Sequence, residues 1–581
     1  MEQAIVLTEA DELPECGKLR RVLDFCGVRA SLLSVADFLA AADTNGGDQK
    51  SKLLCSAETL LRLISALESR AEGSAFWQTR VGSAFVYSGG DFSSLEKVAA
   101  IVGNSSSLAR SDRAGKWAVT ETLPEFCKSM SGICVPVITK DPEKGFRIDG
   151  KDANAVGLIS NGGQSAFVRF IHRGVPLFIS AEVGVVDIQE TLSGRDFDIR
   201  QHFLSAAPLI LYIKWAFTSS SWQAPETPAC LVIDDPLLKP RYGFLKFQRL
   251  TDLMRHHNFS TSVAFIPWNW RRNNSRVVRL FKDNPETLSL SIHGCDHTGG
   301  EFGSRNIGRL AWKSREALAR MRRHHSATGL PHDPVMVFPQ GVFSALAMEV
   351  LKRSQFMGVV NSEVLSTDSE PPQIRIADYW NVAVLNYSEF PIFTRRYASA
   401  GVENFAFDIL LGKPCLVVAH HNDCHDDCRH IAEFMDRLNQ LNVPLRWTNL
   451  SDVIRRSFRQ REVSPGVMEI EMYGSQVRIE SPSDQKTVFR FRKRESKSEH
   501  VKSVQMDGQP VRWEAAEGGQ NIAFEVTLKP GESRIVTVAF HEFEPTESFE
   551  GENLKYKLKT MVRRYLSEVR DNYVTRKSFS T

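Results

Sequence analysis

The sequence has no long run of apolar residues. The nearest approach, APLILYIKWAF, is shorter than the about 18 residues that a membrane-spanning helix needs, and it contains Lys214. We therefore predict no transmembrane segment. The amino terminus, MEQAIVLTEADELPEC, also lacks a basic stretch followed by an apolar one, so it does not resemble a secretory signal. Together these two absences predict a cytoplasmic protein.

Strong net charge and disulfide-type cysteine spacing are missing too. The formal net charge is only +3 over 581 residues, and no basic run is interleaved with aromatic residues, so we expect no nucleic-acid partner. The ten cysteines are scattered along the chain, which is typical of reduced thiols. Neither GxGxxG nor GxxxxGKS/T occurs, so no phosphate-binding loop is predicted.

The length predicts several domains, and the apolar pattern changes along the chain. Residues 1–220 alternate strand-like runs such as SAFVYSG with helix-like runs such as SSLEKVAAIVG, which predicts an N-terminal α/β layered domain. Residues 221–460 contain short, strongly apolar runs separated by helical stretches, a pattern typical of strands buried on both faces. We predict a distorted parallel (β/α) barrel of about seven strands here. The expected strands are CLVIDD, STSVAFIP, LSLSIHG, PVMVFPQG, MGVVN, NVAVLN and PCLVVAHH.

The pattern changes again near residue 461. Apolar and polar residues then alternate, as in KTVFRFRK and SRIVTVAF, which predicts an antiparallel β-sandwich over residues 461–545. Residues 546–581 are predicted to form a basic amphipathic helix and a frayed tail. Such a helix can bind an anionic surface or a partner, or it can pack against its own protein, and the sequence leaves both alternatives open.

Carboxylates and imidazoles follow two of the expected barrel strands where these strands end. Asp234 and Asp235 close CLVIDD, while His293 and His297 lie at the end of LSIHGCDH. Because a parallel barrel gathers the carboxyl ends of its strands in one mouth, we expect these side chains to meet. One carboxylate and two imidazoles are a common ligand set for a catalytic divalent ion. A second carboxylate beside them can accept a proton from water.

Other strand ends carry side chains suited to binding a substrate. These candidates are Trp268, Asn269, Pro339 and Gln340. Trp268 with Trp270 would form an aromatic floor for a sugar ring, or the two would pack beneath the rim of the barrel.

The two acidic and histidine motifs carry a family resemblance. VIDDP followed by SIHGCDH resembles the first two motifs of the polysaccharide deacetylase family of the NodB-homology type, over about residues 226–455. The resemblance implies a deacetylase-like barrel in which Asp234 is the general base. It also implies that Asp235, His293 and His297 bind a divalent ion, namely zinc, with cobalt or nickel as alternatives.

The last expected barrel strand matches a further motif of the family. VVAHH lies where the family has a histidine that acts as general acid, and His420 fits the spacing better than His421. MVFPQG lies at the family's arginine-proline motif, but Phe338 stands where the arginine is usual. We expect either Gln340 or a distant arginine such as Arg241 to take its place beside Asp234.

These features predict a metal-dependent hydrolase that removes N- or O-acyl groups from a saccharide in surface-polysaccharide synthesis. Two alternatives remain. One is a barrel glycoside hydrolase with a second acid opposite Asp234, for which Glu301 and Asp378 are the candidates. The other is a catalytically weakened scaffold or binding protein, with protein partners in polysaccharide assembly.

Two further polar features have structural interpretations. The stretch HHNDCHDDCRH contains Cys424, Cys428, His425 and His430, which could form a structural zinc site. We instead expect a polar loop that leads into the helix RHIAEFMDRL. Asp296 is expected to orient a histidine or to cap a loop.

Overall fold

The computed structural model describes most of the chain. The described residues are 3–9, 13–44, 50–70, 73–103, 107–110, 116–136, 144–148, 154–192, 194–482, 484–544 and 549–574. The chain divides into two compact units. Unit 1 is Met1–Glu190, Asp198–Gln223 and Leu441–Val443, and unit 2 is Thr191–Phe197, Ala224–Gln440 and Pro444–Thr581.

Unit 1 is a layered α/β structure, as its alternating sequence predicts. One sheet runs in the order β2-β1-β3-β4-β11-β10-β9-β6-β7, with parallel pairing from β2 to β11 and antiparallel pairing beyond. Its strands are β1 Ala4–Leu7, β2 Ala30–Leu33, β3 Ser51–Ser56, β4 Val81–Tyr87, β5 Ser107–Arg110, β6 Lys116–Val119, β7 Cys134–Pro136, β8 Lys144–Arg147, β9 Ala155–Asn161, β10 Gln164–His172 and β11 Val175–Ser180. Its helices are α1 Leu13–Phe25, α2 Val35–Thr44, α3 Ala57–Glu68, α4 Gly73–Arg80, α5 Phe92–Val102, α6 Pro124–Cys127 and α7 Ile199–Ala216.

The most apolar stretch of the sequence lies in α7, which is largely buried. Lys214 is buried with it, and its Nζ donates to the carbonyl oxygen of Trp222 at 2.5 Å. Among the described residues, no helix is both long and apolar enough to cross a membrane.

The first part of unit 2 is the predicted parallel barrel-like sheet. The strands of this part are β12 Thr227–Asp234, β13 Arg241–Tyr242, β14 Leu245–Lys246, β15 Thr261–Phe265, β16 Leu288–His293, β17 Val335–Val337, β18 Gly358–Asn361, β19 Ile392–Thr394, β20 Arg396–Tyr397, β21 Cys415–His420 and β22 Leu445–Trp447. Of these, β13 and β14 form a separate antiparallel pair outside the barrel-like sheet. The helices of this part are α8 Phe247–His256, α9 Ser275–Asp283, α10 Ile307–Thr328, α11 Ala345–Lys352, α12 Ile376–Trp380, α13 Val402–Leu410, α14 Arg429–Asn439 and α15 Leu450–Arg456. The sheet order is β19-β18-β17-β16-β15-β12-β21-β20, with β22 added beside β12.

The barrel is nearly closed by one short segment. β19 pairs with β18, and β20 pairs with β21 at the other end of the sheet. Only Arg395 separates β19 from β20, so residues 392–397 join the two edges.

The strand predicted at NVAVLN is wrong. Within residues 381–386, Val384 forms only an isolated antiparallel bridge with Ile392. Val382, Ala383 and Val384 are nevertheless fully buried in the core. An apolar run in the sequence indicates that the segment is buried, but both a barrel strand and a buried loop can be apolar. The run alone therefore does not distinguish the two.

The rest of unit 2 is a two-sheet β structure. Its strands are β23 Arg459–Ser464, β24 Val467–Met472, β25 Gln476–Glu480, β26 Thr487–Arg494, β27 Val501–Met506, β28 Gln509–Val511, β29 Trp513–Ala516, β30 Asn521–Leu528 and β31 Ser533–Phe540. The sheets are β23-β24-β26-β30-β29 and β25-β31-β27-β28. Most pairs are antiparallel as predicted, but β24 and β26 are parallel. Phe489, Phe491 and Phe524 lie in the core between the sheets.

The predicted C-terminal helix is present as α16, Leu554–Val569, followed by a single π-helical turn, Arg570–Val574. Residues 575–581 of the expected frayed tail lie outside the described part of the chain.

Candidate active site

The ends of the barrel strands β12, β16 and β21 carry the candidate site. Asp234, the last residue of β12, lies in register with Ala264 of β15 and with His420 of β21. His293, the last residue of β16, pairs with Val337 of β17. The strands are parallel, so their carboxyl ends meet at one mouth, as the sequence predicts.

Asp235, His293 and His297 converge on one point. Nε2 of His297 lies 3.0 Å and Nε2 of His293 lies 3.5 Å from Oδ1 of Asp235, and the three ligand atoms are within 4.8 Å of one another. Oδ1 is buried and has no hydrogen-bond partner among the described residues. Ligand atoms about 2.1 Å from a shared tetrahedral ion are about 3.4 Å apart, so the spacing suits a divalent ion such as zinc.

A second contact fixes the orientation of His293. Its Nδ1 lies 3.0 Å from the carbonyl oxygen of Val337, to which it donates a hydrogen bond. In the neutral ring the proton is therefore on Nδ1, and Nε2 keeps its lone pair for an ion.

The loop between the two histidines is held from inside by Glu301. Its carboxylate accepts hydrogen bonds from the backbone N–H groups of Cys295 at 2.8 Å, Asp296 at 3.1 Å and His297 at 3.0 Å. Gly294 has a φ of +63°, and a Cβ there would lie 2.2 Å from Oε1 of Glu301, so only glycine fits.

Two of the candidate ligands have left-handed backbone conformations. Asp235 has a φ of +80° and His297 a φ of +53°. Aspartate and histidine tolerate this region better than most residues, but it still costs free energy. This backbone conformation turns the side chains of Asp235 and His297 toward a shared point, which explains why the free-energy cost is retained here.

Arg395 fills the place of the arginine that is absent before Pro339. Its Nη1 donates to Oδ1 of Asp234 at 2.7 Å and its Nη2 donates to Oδ2 at 2.6 Å, with both side chains buried. The expectation for Gln340 and Arg241 is therefore wrong: Gln340 is exposed, and Nε of Arg241 donates to the carbonyl oxygen of Gly243. Arg395 was missed because no strand was expected at FTRRY.

The electrostatics of the site favour ionised carboxylates. Burial opposes ionisation of Asp234, but Arg395 and His293 hold its pKa below the ordinary value. Burial also opposes ionisation of Asp235, yet His297 and His293 hold its pKa well below the ordinary value. Burial lowers the pKa of His293, but Asp234 and Asp235 raise it above 6.5.

The two neighbouring histidines after β21 face different partners. Nε2 of His420 lies 3.8 Å from Oδ2 of Asp234, and its ring stacks on Tyr397. The His420 side chain is 37% exposed, so it can meet a substrate. His421 is buried against Tyr242, and its Nε2 lies 3.7 Å from Oδ2 of Asp571. Of the two candidates, His420 is the one placed beside Asp234.

Residues 553–574, which we call the strap, extend across the loops of the barrel mouth. The Tyr556 hydroxyl lies 3.0 Å from Oδ2 of Asp296 and 2.9 Å from Oγ1 of Thr298. Near the other end of the strap, the Tyr242 hydroxyl donates to Oδ2 of Asp571 at 2.7 Å. The sequence signal for these contacts is a polar stripe at helical spacing within the basic helix.

Arg564 is the strap residue that faces the candidate ligands. It is 9% exposed, and its Nε has no hydrogen-bond partner among the described residues. Burial lowers the pKa of this guanidinium, and attraction to Asp235 partly offsets that effect. A buried, incompletely paired guanidinium beside the site can bind an anionic or carbonyl oxygen.

Asp296 has a structural role that differs from the one expected. It is fully buried, and its carboxylate pairs with Lys313 and Arg320 of α10. No histidine contact of Asp296 is present among the described residues. This ion-pair network anchors the loop that carries His297 to the helix behind it.

The four substrate-binding candidates lie on turns that follow β15 and β17. Trp268 and Asn269 are in the turn Pro267–Asn269, and Pro339 and Gln340 are in the turn Pro339–Gly341. Asn269 is 3% exposed, and its Oδ1 has no hydrogen-bond partner among the described residues. Trp268 is half-buried beneath the guanidinium of Arg320, 4.8 Å from its ring centre.

Both residues considered as the second acid of a glycoside hydrolase have carboxylates that are engaged in structural hydrogen bonds. The Glu301 carboxylate accepts three backbone hydrogen bonds, as described above. Asp378 is in the first turn of α12, where Oδ2 accepts from the backbone N–H of Arg375 at 2.9 Å and from Nδ2 of Asn386 at 3.1 Å.

Cys424 and Cys428 form a disulfide in the loop after β21. This corrects the expectation of reduced thiols for these two residues, and it excludes them as thiolate ligands of a structural zinc. The helix RHIAEFMDRL follows as α14, in agreement with the polar-loop interpretation. The other eight cysteines form no disulfide within the described residues.

No family model and no curated protein matches the chain. One similar solved structure is a family 4 carbohydrate esterase from Streptomyces lividans in complex with acetate, 13% identical over 38% of this chain and 88% of that one, with a TM-score of 0.22. Another is the Xyl-CE4 domain of a multidomain xylanase from the hindgut metagenome of Trinervitermes trinervoides, with 9% identity, 39% and 90% coverage and a TM-score of 0.25. A peptidoglycan N-acetylglucosamine deacetylase shows 12% identity, 40% and 92% coverage and a TM-score of 0.25. Similarity of this degree carries no argument about function, which must rest on the geometry of the site.

Proposed function

We propose that the protein is a metal-dependent hydrolase that removes acyl groups from a saccharide. The observation that carries the proposal is that a set of three candidate metal ligands and a candidate base lie together at the mouth of the barrel. Asp235, His293 and His297 converge as a ligand set, and Asp234 lies next to them, buried and paired with Arg395. A divalent ion held by the three ligands would supply Lewis acidity for attack of water on an acyl carbon.

The chain's own residues account for the proton transfers. Asp234 is ionised at neutral pH, because its pKa is held below the ordinary value, so it can accept the proton of the attacking water. His420 lies 3.8 Å from Asp234 and is partly exposed, which places it to donate a proton to the leaving amine or alcohol. Arg395 keeps the Asp234 carboxylate in one orientation by its two parallel hydrogen bonds.

Several finer parts of the proposal rest on the motif resemblance alone. These are zinc as the ion, an N- or O-acylated saccharide as the substrate, and a place in surface-polysaccharide synthesis. The cytoplasmic location stays a prediction, and the Cys424–Cys428 disulfide is a bond more typical of oxidising compartments.

The alternatives lose the features that favoured them. Glu301 and Asp378 have structural hydrogen bonds, which weakens the glycoside hydrolase alternative. The weakened-scaffold alternative drew its support from the absent arginine before Pro339, and Arg395 now pairs with Asp234 from another strand end.

Metal content together with activity tests the proposal. We expect about one divalent ion per chain by elemental mass spectrometry. We also expect release of acetate from acetylated saccharides by the metal-loaded protein. His297→Ala and Asp235→Ala should lose both, whereas Asp234→Asn should keep the ion and lose activity. Absence of a bound ion after incubation with zinc, cobalt and nickel would refute the metal-dependent mechanism.

The matched control is Asp378→Asn. It removes a carboxylate of the same domain whose hydrogen bonds lie within its own helix cap and with Asn386. It should keep the ion and the activity of the wild type.

A further inference from the structure

The outer face of the strap is apolar and exposed. Leu554 is 83%, Leu566 63% and Tyr573 68% exposed. Together with their neighbours, these side chains form a stripe at the helical spacing of three and four residues. The stripe consists of Leu554, Leu558, Met561, Val562, Tyr565, Leu566, Val569 and Tyr573. Isolated exposed apolar residues are ordinary, but a continuous stripe of eight on one short element is not.

The inner face of the same element is polar. Tyr556 contacts Asp296 and Thr298, and Asp571 accepts a hydrogen bond from Tyr242. A surface helix usually turns its apolar face toward the core. Here the arrangement is reversed, because the polar face packs on the barrel mouth and the apolar face is left to solvent.

The exposed charge around the stripe is basic. Lys555, Lys557 and Lys559 are exposed and make no ion pair with the described residues. The acidic residues of the strap are engaged on the inner side. Glu568 pairs with Lys239 and Arg272, and Asp571 with Tyr242. An approaching surface therefore meets apolar side chains among uncompensated positive charges.

We propose that the outer face of the strap docks on an anionic lipid bilayer. Exposed apolar side chains with lysines beside them are typical of helices that lie in the bilayer interface. The 16 residues of α16 span about 24 Å, less than the hydrocarbon core, so the helix lies on the membrane and does not cross it. Docking holds the barrel mouth at the bilayer surface, because the inner face of the strap contacts its loops.

This proposal does not depend on the hydrolase function, and the two can fail separately. It favours a bilayer over a second copy of the chain because the exposed charge is of one sign. Two copies of the strap face to face would bring their lysines together, whereas anionic headgroups complement them.

Vesicle flotation of the full-length protein tests the proposal. We expect the protein to float with vesicles of phosphatidylcholine and phosphatidylglycerol, and to float much less with phosphatidylcholine alone or at high salt. Leu558→Ser with Leu566→Ser should lower the partition coefficient at least about tenfold, because two exposed leucines no longer enter the interface. Val183→Ser is the matched control, since Val183 is 49% exposed and lies in unit 1. It should float like the wild type.

A second variant guards against misfolding of the first. Lys557→Gln with Lys559→Gln changes exposed side chains that make no ion pair within the described part of the chain, and it should remove the preference for anionic vesicles. Failure of the wild type to float with anionic vesicles would overturn the proposal. So would self-association of the wild type in solution that the double serine variant abolishes, because the stripe would then be covered by a second copy.

Discussion

Arg395 forms a two-pronged ion pair with Asp234, 161 residues away in the sequence. The two come from strand ends on either side of β21, because Arg395 lies between β19 and β20, and β20 pairs with β21. The arginine that closes the barrel is thus also the one that orients the candidate base. Closure of the sheet and chemistry at the mouth depend on the same residue.

Replacement of Arg395 tests this relationship. In Arg395→Met the attraction that lowers the pKa of Asp234 is lost while its burial remains, so that pKa should rise. The base form is then lost at a higher pH, and the acid limb of the kcat/KM profile should move upward. An uncompensated buried carboxylate should also lower the free energy of unfolding by about 3–5 kcal/mol at neutral pH.

Arg241→Met is the matched control for that experiment, because it removes a guanidinium of the same unit whose Nε donates to the carbonyl oxygen of Gly243. Its pH profile should be that of the wild type. An unmoved acid limb in Arg395→Met, in a variant that still folds, would contradict the positioning role.

Metal affinity should depend on pH. In the metal-free protein Asp234 and Asp235 raise the pKa of His293 above 6.5 despite its burial. Its proton must leave before Nε2 can bind an ion, so zinc affinity should fall by up to about tenfold for each pH unit below that pKa. Calorimetric titration with zinc in buffers of different ionisation enthalpy would measure the protons released. A zinc affinity that stays constant from about pH 8 to about pH 5 would contradict the assignment of His293 as a ligand.

The strand ends and the ligand set could be predicted from sequence because the signal is local. In CLVIDD and LSIHGCDH an apolar run ends abruptly in groups that bind metals, and a parallel barrel brings such ends together. Arg395 could not be predicted because NVAVLN looked like the better strand. That error placed a strand end at Asn386 and left the true closing segment, with Arg395 in it, among the loops.

The strap was out of reach for a different reason. Its contacts join residues far apart in sequence, such as Thr298 and Tyr556, which are separated by 258 positions. The pattern of the helix gives its two faces but not which face is buried. The usual rule would have buried the apolar face, and the structure buries the polar one.

Glu301 should control the metal site without being a ligand. Glu301→Gln keeps the shape of the side chain but removes its charge and replaces one of its two acceptor oxygens with an NH2 group, so the three hydrogen bonds from the His297 loop cannot all be kept. We expect zinc affinity to fall by about 10–100-fold, as is common when a group supporting a ligand is changed. Activity at saturating zinc should recover. Loss of activity that saturating zinc does not restore would instead favour a direct role for Glu301 in the chemistry.

His324 should make the protein sensitive to mild acid. Its ring is fully buried near Phe265, and neither nitrogen has a hydrogen-bond partner among the described residues. Burial, and then the neighbouring His332, lower its pKa to about 4. The unfolded chain therefore binds a proton at a higher pH than the folded one does. Stability should be lost as the pH falls from about 6.5 to about 4, with a contribution of about 2–3 kcal/mol from this residue.

The variant His324→Phe keeps a ring of similar size and removes the titration. Urea unfolding should be measured at about pH 7 and at about pH 4.5. The loss of stability between these two pH values should be smaller in the variant than in the wild type. His256→Phe serves as the control, because His256 is exposed at the end of α8 and should leave the pH dependence unchanged. Equal acid sensitivity of His324→Phe and the wild type would contradict this prediction. It would mean that a polar group stabilises the protonated ring of His324 in the folded protein, so that the folded and unfolded pKa values of His324 do not differ.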